Sequence, residues 1–212
     1  MAGDGVIICR GLVIARSGSD EAILRPKRRN GLLRCARNDD GVTKMNIRPF
    51  LPHDAPAVRE LFIRINRLLA PAAMKEAVEG YIARSLSEEI DRIIDYYAER
   101  NGAFWVSEDA GRIVGMFGLE ASGDGAMELR RMYVDPDMRR RGIAKGMLDF
   151  AEQECRRHKR FRMELSTSEI QAEALALYRN AGYELVREEI AEAASNKTVG
   201  GGIRRYHFTK AL

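Results

Sequence analysis

Residues 128–150 read ELRRMYVDPDMRRRGIAKGMLDF, and this stretch predicts a strand, a turn and a helix in direct succession. Apolar side chains up to Val134 predict the strand, and Asp135-Pro136-Asp137 is typical of a turn. Apolar residues then recur at the spacing of one helical face, which indicates a helix that begins at Gly142. Its predicted apolar face consists of Ile143, Met147, Leu148, Phe150 and Ala151.

The start of that helix is a predicted anion-binding site. About four backbone N–H groups at a helix start lack intrahelical acceptors, and the helix dipole adds positive charge there. Gly142 permits close approach of a ligand, and the short side chain of Ala144 does not obstruct it. The spacing is neither the Walker pattern nor the dinucleotide-binding pattern, and the predicted ligand is a pyrophosphate group. The residues predicted to bind it are Arg139, Arg140, Arg141, Gly142, Ile143, Ala144 and Lys145.

Two motifs in this chain resemble those of the GNAT superfamily of acetyl-CoA-dependent N-acetyltransferases. Residues 139–144 match its Arg/Gln-x-x-Gly-x-Gly/Ala signature after a strand and a proline-containing turn. Residues 171–183 follow its second motif, Asn-x-x-Ala-x-x-Leu-Tyr and then Gly-Phe/Tyr, with Gln171 in place of the asparagine. The resemblance runs from about Met45 to the C-terminus, with both motifs in the family's order.

The resemblance implies an α/β (α+β) GNAT fold, in which helices flank a mixed, mostly antiparallel sheet of about six to seven strands. It also implies acetyl-CoA as the cosubstrate. Backbone groups of Met132, Tyr133 and Val134 would pair with the pantetheine arm like an added strand, and Gln171 would touch the same arm. A backbone N–H near Met132 or Tyr133 would polarise the thioester carbonyl, as in an oxyanion hole.

Transfer of an acetyl group to an amine requires a base and an acid. An alkylamine with a pKa of about 10 is protonated at neutral pH, so a base has to remove a proton before attack. The resemblance makes Glu128 the first candidate, because it lies on the central strand four residues before Met132, a position from which some family members supply a base. Glu164 on the following strand is the alternative. Tyr178 is the predicted general acid, since a phenol can protonate a departing thiolate whose pKa is about 8.5.

Composition excludes several classes of protein. A net charge of +4 over 212 residues suits an acidic ligand but not a dedicated nucleic-acid binder. Three cysteines and three histidines without ligand spacing predict neither a disulfide framework nor a metal site. Apolar runs are too short for a membrane span. The apolar run over residues 6–15 is broken by Arg10 and lacks the basic start and small-residue cleavage pattern of a secretory signal, so a cytoplasmic location is expected.

Residues 1–44 are predicted to be an N-terminal extension, and residues 45–212 the GNAT domain. The first part lacks a sustained period of two or 3.6 residues, whereas the helical and strand patterns begin near Met45. A helix from Pro52 is expected before the central strand. A longer helical pattern follows over Ala73–Glu99, with a possible restart at Ser85 or Ser87.

The predicted activity is transfer of an acetyl group from acetyl-CoA to a primary amine by direct attack. The alternative is a catalytically inactive acyl-CoA sensor or interaction module with the same fold. The sequence leaves the acceptor open between small-molecule and peptide or protein amines. The resemblance leaves a homodimer open as well.

Overall fold

A computed structural model describes residues 46–212, and the predicted extension of residues 1–44 lies outside the described residues. The strands are β1 Asn46–Pro49, β2 Ala103–Asp109, β3 Arg112–Ala121, β4 Ala126–Val134, β5 Arg162–Ser168, β6 Glu184–Ala191 and β7 Ile203–Ala211. The helices are α1 Ala55–Leu69, α2 Lys75–Glu88, α3 Ile93–Ala98, α4 Ile143–Arg157 and α5 Ala172–Asn180.

All seven strands form one sheet in the order β1-β2-β3-β4-β5-β7-β6. Short turns join β2 to β3 and β3 to β4, so these neighbours are antiparallel. β4 and β5 are parallel, because α4 carries the chain back across the sheet between them. The predicted fold class, a mixed and mostly antiparallel sheet flanked by helices, is confirmed.

Each face of the sheet has its own apolar core. On one face α4 and α5 cover a cluster that includes Trp105 and Phe117, whose rings stack with centroids 5.4 Å apart. On the other face α1, α2 and α3 cover a cluster around Phe62, Tyr97 and Met116. Successive side chains of a strand point to opposite faces of the sheet, and helices cover both faces, so the central strands are buried on both sides.

The helical pattern predicted over residues 73–99 is interrupted, a few residues beyond the possible restart at Ser85 or Ser87. α2 ends at Glu88, a short 3₁₀ segment follows at Ile90–Arg92, and α3 then begins at Ile93. The break occurs at Glu89, whose backbone leaves the helical region and whose side chain is fully buried. A carboxylate that is removed from water requires polar partners, and the chain bends here to supply them.

Within residues 46–212, no helix has the length and apolar character that a membrane span requires.

Candidate active site

The strands β4 and β5 separate at the centre of the sheet. Their parallel pairing runs from Ala126↔Arg162 to Leu129↔Leu165 and then stops, although both strands continue beyond it. The gap between their carboxyl ends is a cleft of about 110 Å³. Strand edges that face such a gap present backbone N–H and C=O groups that an extended ligand can pair with.

A β-bulge lies on the β4 wall of this cleft. Two steps along β3, from Met116 to Gly118, correspond to three steps along β4, from Tyr133 to Arg130. Arg131 carries the irregularity with φ = 52°, a left-handed conformation that is uncommon for a residue with a side chain. A bulge leaves one residue out of the regular ladder, so the backbone near Met132 is free to face the cleft.

The start of α4 has the features of an anion site. Gly142 precedes the helix with φ = 77°, and Arg140 also has a positive φ of 60°. Among the described residues, the backbone N–H groups of residues 140–145 have no acceptor. A Cβ atom placed on Gly142 would meet nothing within 4 Å, so the space beside this residue is open. Consecutive free N–H groups in alternating backbone conformations form a concavity that suits phosphate.

The side chains of this segment differ in their surroundings. Ile143 is buried in the core beside α4, so only its backbone N–H faces the anion site. Lys145 pairs with Asp149 one turn along the helix, with Nζ and Oδ2 2.6 Å apart. Arg139 contacts Glu173 of α5 at 3.1 Å. Arg140 and Arg141 are exposed and therefore accessible to a ligand in solvent.

The structure brings most of the remaining predicted residues together. Met132, Tyr133, Glu128, Gln171 and Tyr178 all line the cleft. Gln171 precedes α5, and its side-chain oxygen accepts a hydrogen bond of 2.8 Å from Thr167 on the β5 wall. Val134 does not line the cleft; its side chain packs against the core beside α4.

Tyr178 lines the cleft and is buried among aromatic side chains. Its ring contacts Tyr183 and Phe208, with centroids 5.9 Å and 6.1 Å away. Burial raises the pKa of Tyr178 above its usual value, so the phenol stays protonated at neutral pH. In the part of the chain that the structure describes, its hydroxyl has no hydrogen-bond partner. A neutral phenol in this position can donate a proton to a bound group.

The two candidate bases have different partners. The Glu128 carboxylate accepts a hydrogen bond of 2.6 Å from Lys197, which lies in the loop between β6 and β7. Glu164 faces Glu128 from the adjacent position of β5, but Ser122 and Arg162 donate to its two oxygens at 2.6 Å and 2.9 Å. Only Glu128 of this pair lines the cleft, so Glu128 remains the first candidate.

A buried ionic cluster supports the bulge and was not predicted from the sequence. Glu89, with its side chain fully buried, accepts hydrogen bonds from Arg130 at 2.6 Å and Arg131 at 2.7 Å. Arg131 also donates to the backbone carbonyl of Asn196 at 2.7 Å, which ties the β6–β7 loop to the bulge. The signal for this cluster was Arg130-Arg131 inside a central strand, since two arginines there require a buried carboxylate.

A second opening adjoins the cleft on the sheet face that α1, α2 and α3 leave uncovered. This groove has a volume of about 470 Å³ and is lined by residues of β5, β6 and β7. Glu128, Ser166, Lys197 and Arg205 line both the cleft and the groove, so the two openings meet at these side chains.

Within the described range 46–212, no three His, Cys, Asp or Glu side chains gather as metal ligands. Cys155 is buried in the core and its thiol is free. Cys9 and Cys35 lie outside the described residues.

Comparisons with known proteins agree with this arrangement. A family profile described as "Acetyltransferase (GNAT) domain" matches residues 100–185. The chain is 30% identical over 140 residues to the Escherichia coli (strain K12) protein described as "Uncharacterized N-acetyltransferase YjgM", a match that covers 61% of this chain and 83% of that protein. It is 28% identical over 138 residues to the Rattus norvegicus protein "N-acetyltransferase family 8 member 2", covering 63% of this chain but only 60% of the relative's length.

The fold is similar to that of solved acetyltransferase structures. The PaiA N-acetyltransferase of Thermoplasma acidophilum, solved in complex with coenzyme A, superposes with a TM-score of 0.62 at 15% identity and covers 79% of this chain and 99% of that one. The E. coli relative, of which more than four fifths is matched, together with the family profile shows the family. The chain belongs to the GNAT family of acetyltransferases.

Proposed function

We propose that this protein transfers an acetyl group from acetyl-CoA to the nitrogen of a primary amine. The observation that carries the proposal is the cleft between β4 and β5, which is lined by an unpaired strand edge, a β-bulge and Tyr178. Such a space suits an extended arm that ends in a thioester. A neutral amine would attack the thioester carbonyl directly.

Acetyl-CoA fits the chemistry of the residues present. The free N–H groups of residues 140–145, with Arg139, Arg140 and Arg141 beside them, would hold the pyrophosphate. Backbone groups of Met132 to Val134 would pair with the pantetheine arm, with Gln171 on the opposite wall. The complex of the Thermoplasma PaiA neighbour with coenzyme A supports this choice of cosubstrate.

Each step of the transfer has a candidate residue. Glu128 would take a proton from the incoming ammonium, directly or through water. A backbone N–H at the bulge near Met132 would stabilise the negative charge that develops on the carbonyl oxygen. Tyr178 would give its proton to the departing thiolate as the carbon–sulfur bond breaks. The second proton that the nitrogen loses would restore the Tyr178 phenol, and Glu128 would release the first proton to solvent. The acetyl group ends on nitrogen, and free CoA thiol is released.

The direct test is a panel of primary amines in which release of free CoA thiol is followed. Turnover with at least one amine supports the enzyme. An inactive acyl-CoA sensor would bind CoA tightly and release no thiol with any amine. A cytoplasmic location, a homodimer and the absence of a nucleic-acid partner stay predictions.

Gly142→Asp should weaken CoA binding by at least ~100-fold. A carboxylate about 5 Å from a pyrophosphate at an effective dielectric constant of about 20 opposes binding by about 3 kcal/mol per charge pair. The added side chain would enter open space, so the fold should survive. Titration calorimetry with CoA measures the effect.

The matched control for this prediction is Gly123→Asp. Gly123 also has a positive φ, 62°, and a Cβ there meets nothing within 4 Å, but it precedes β4 at the opposite end from α4. Both variants carry the same strain and charge, so only Gly142→Asp should lose affinity. Equal CoA affinity in the two folded variants would show that the phosphate site lies elsewhere.

A further inference from the structure

Arg205 is a buried cation at the junction of the cleft and the groove. It lies on β7, its side chain is 10% exposed, and it lines both openings. Two of its N–H groups find acceptors in the described part of the chain: the Ser166 hydroxyl and, at 3.5 Å, Glu189. A guanidinium has five N–H donors, so this one retains donors for a ligand.

The carboxylate nearest to Arg205 is shared with other cations. Glu189 also accepts hydrogen bonds from Arg187 and, at 2.8 Å, interacts with His207. Burial is the largest influence on Arg205 and lowers its pKa, and the carboxylates Glu189 and Glu128 do not offset it. The buried charge of Arg205 is therefore only partly balanced by carboxylates. This imbalance destabilises the folded protein unless an anion binds to Arg205.

The other cations of the cleft differ from Arg205 because each has close carboxylate partners. Arg130 and Arg131 bind Glu89 at 2.6 Å and 2.7 Å. Lys197 contacts Glu128 at 2.6 Å and Glu120 at 3.3 Å. The ligand-accessible charge of the junction is thus concentrated on Arg205.

The charges of CoA cannot account for this cation. Its phosphates would lie at the start of α4, and none of residues 139–145 lines the cleft. The thioester end that would enter the cleft is uncharged. An anionic group at Arg205 must therefore belong to the second substrate.

We infer that the amine acceptor carries a carboxylate, as a free amino acid does, and that Arg205 binds this carboxylate beside Ser166 at the mouth of the cleft. The inference rests on the proposed function and specifies its substrate class. A planar guanidinium binds a carboxylate through two parallel hydrogen bonds, which also orients the substrate. The amine of the bound amino acid would then point toward the bulge and Glu128. A protein N-terminus has no carboxylate next to its amine and would leave Arg205 unpaired.

The experiment compares free amino acids with their primary amides as acceptors, at saturating acetyl-CoA. The two differ in the carboxylate, and the amide has the less basic amine, so more of it is in the reactive neutral form. The inference predicts kcat/KM at least tenfold higher for the preferred amino acid than for its amide. In Arg205→Gln, KM for the amino acid should rise by about 10- to 100-fold, while kcat/KM for the amide and the Kd for CoA stay unchanged.

Two further variants make the comparison specific. Arg205→Lys keeps the charge without the planar pair of donors and should restore part of the preference. Arg204→Gln removes the adjacent arginine, whose side chain is 47% exposed and contacts Glu188, and should behave as the wild type. Calorimetric binding of N-acetylamino acids to the CoA complex provides a readout that does not require turnover.

Failure of this inference and failure of the proposed function have different signatures. Normal CoA binding with equal use of amides and acids would overturn the carboxylate assignment alone. So would normal CoA binding with neither turnover of amino acids nor binding of N-acetylamino acids. If CoA itself does not bind, the proposed function fails.

Discussion

Tyr178→Phe should lower kcat by about 10²- to 10⁴-fold while the affinity for CoA stays close to that of the wild type. The phenol is needed only when negative charge develops on the departing sulfur. Phenylalanine keeps the ring that packs against Tyr183 and Phe208, so the fold should be preserved. Steady-state kinetics with an acceptor from the amine panel, combined with CoA calorimetry, measures both quantities.

Tyr183→Phe is the matched control for that experiment. Tyr183 is as buried as Tyr178, but its hydroxyl donates to Glu152 at 3.2 Å and does not line the cleft. Its substitution should leave kcat unchanged. Wild-type kcat in Tyr178→Phe would remove this residue from the mechanism.

The pH profile provides a second check on Tyr178. Burial raises its pKa, so the phenol remains protonated up to at least its ordinary value of about 10. The wild-type kcat should therefore show no decline from Tyr178 below about pH 10. A decline centred near pH 8 that disappears in Tyr178→Phe would contradict this assignment.

Glu89→Gln should lower the free energy of unfolding by about 3–5 kcal/mol, because it leaves Arg130 and Arg131 buried without their shared carboxylate. Urea unfolding at pH 7 measures the change. Glu79→Gln is the matched control, since Glu79 pairs with Arg67 at 2.7 Å but is half exposed. An exposed pair contributes little, and the control should unfold close to the wild type.

The same carboxylate predicts how stability depends on pH. Burial alone would raise the pKa of Glu89, but Arg131, Arg130 and the Tyr97 hydroxyl outweigh it, and the pKa is lowered. A lowered pKa means that Glu89 contributes stability above its unfolded value of about 4.3, and that this contribution is lost as the pH falls below it. The difference between wild type and Glu89→Gln should narrow below about pH 4. A constant difference would contradict the ionised cluster.

The elements that could be predicted from sequence are those determined by nearby residues. The strand to Val134, the turn at Asp135 and the helix after Gly142 follow from short-range patterns, and the structure has all three. The sequence indicates a possible restart of the second helix at Ser85 or Ser87, but it does not indicate the position of the break at Glu89. At this position Glu89 pairs with two arginines more than 40 residues further along the chain, and a local helical pattern does not indicate such distant partners.

The residues of the candidate site also differ in whether local sequence patterns could predict them. Tyr178, Gln171 and Gly142 were identified because they occur in local motifs. Lys197 and Arg205 were missed because the loop and strand that carry them have ordinary local patterns. Their importance arises only when the sheet places them beside Glu128 and Ser166, which lie far away in sequence.

The early end of the β4–β5 pairing also has a consequence for folding cooperativity. In the described part of the chain, the backbone contacts that join strands β1 to β4 to strands β5 to β7 are few: four residue pairs between β4 and β5, and one hydrogen bond of 3.0 Å from the Phe161 N–H to the Gly125 carbonyl just before them. Because few backbone contacts cross this junction, the two parts of the sheet can separate in a sub-global unfolding event. The free energy of this event can be lower than the free energy of unfolding the whole domain. A ligand that pairs with the unpaired edges of both β4 and β5 would add contacts across the junction. Substrate binding would therefore make the two parts of the sheet unfold as one cooperative unit.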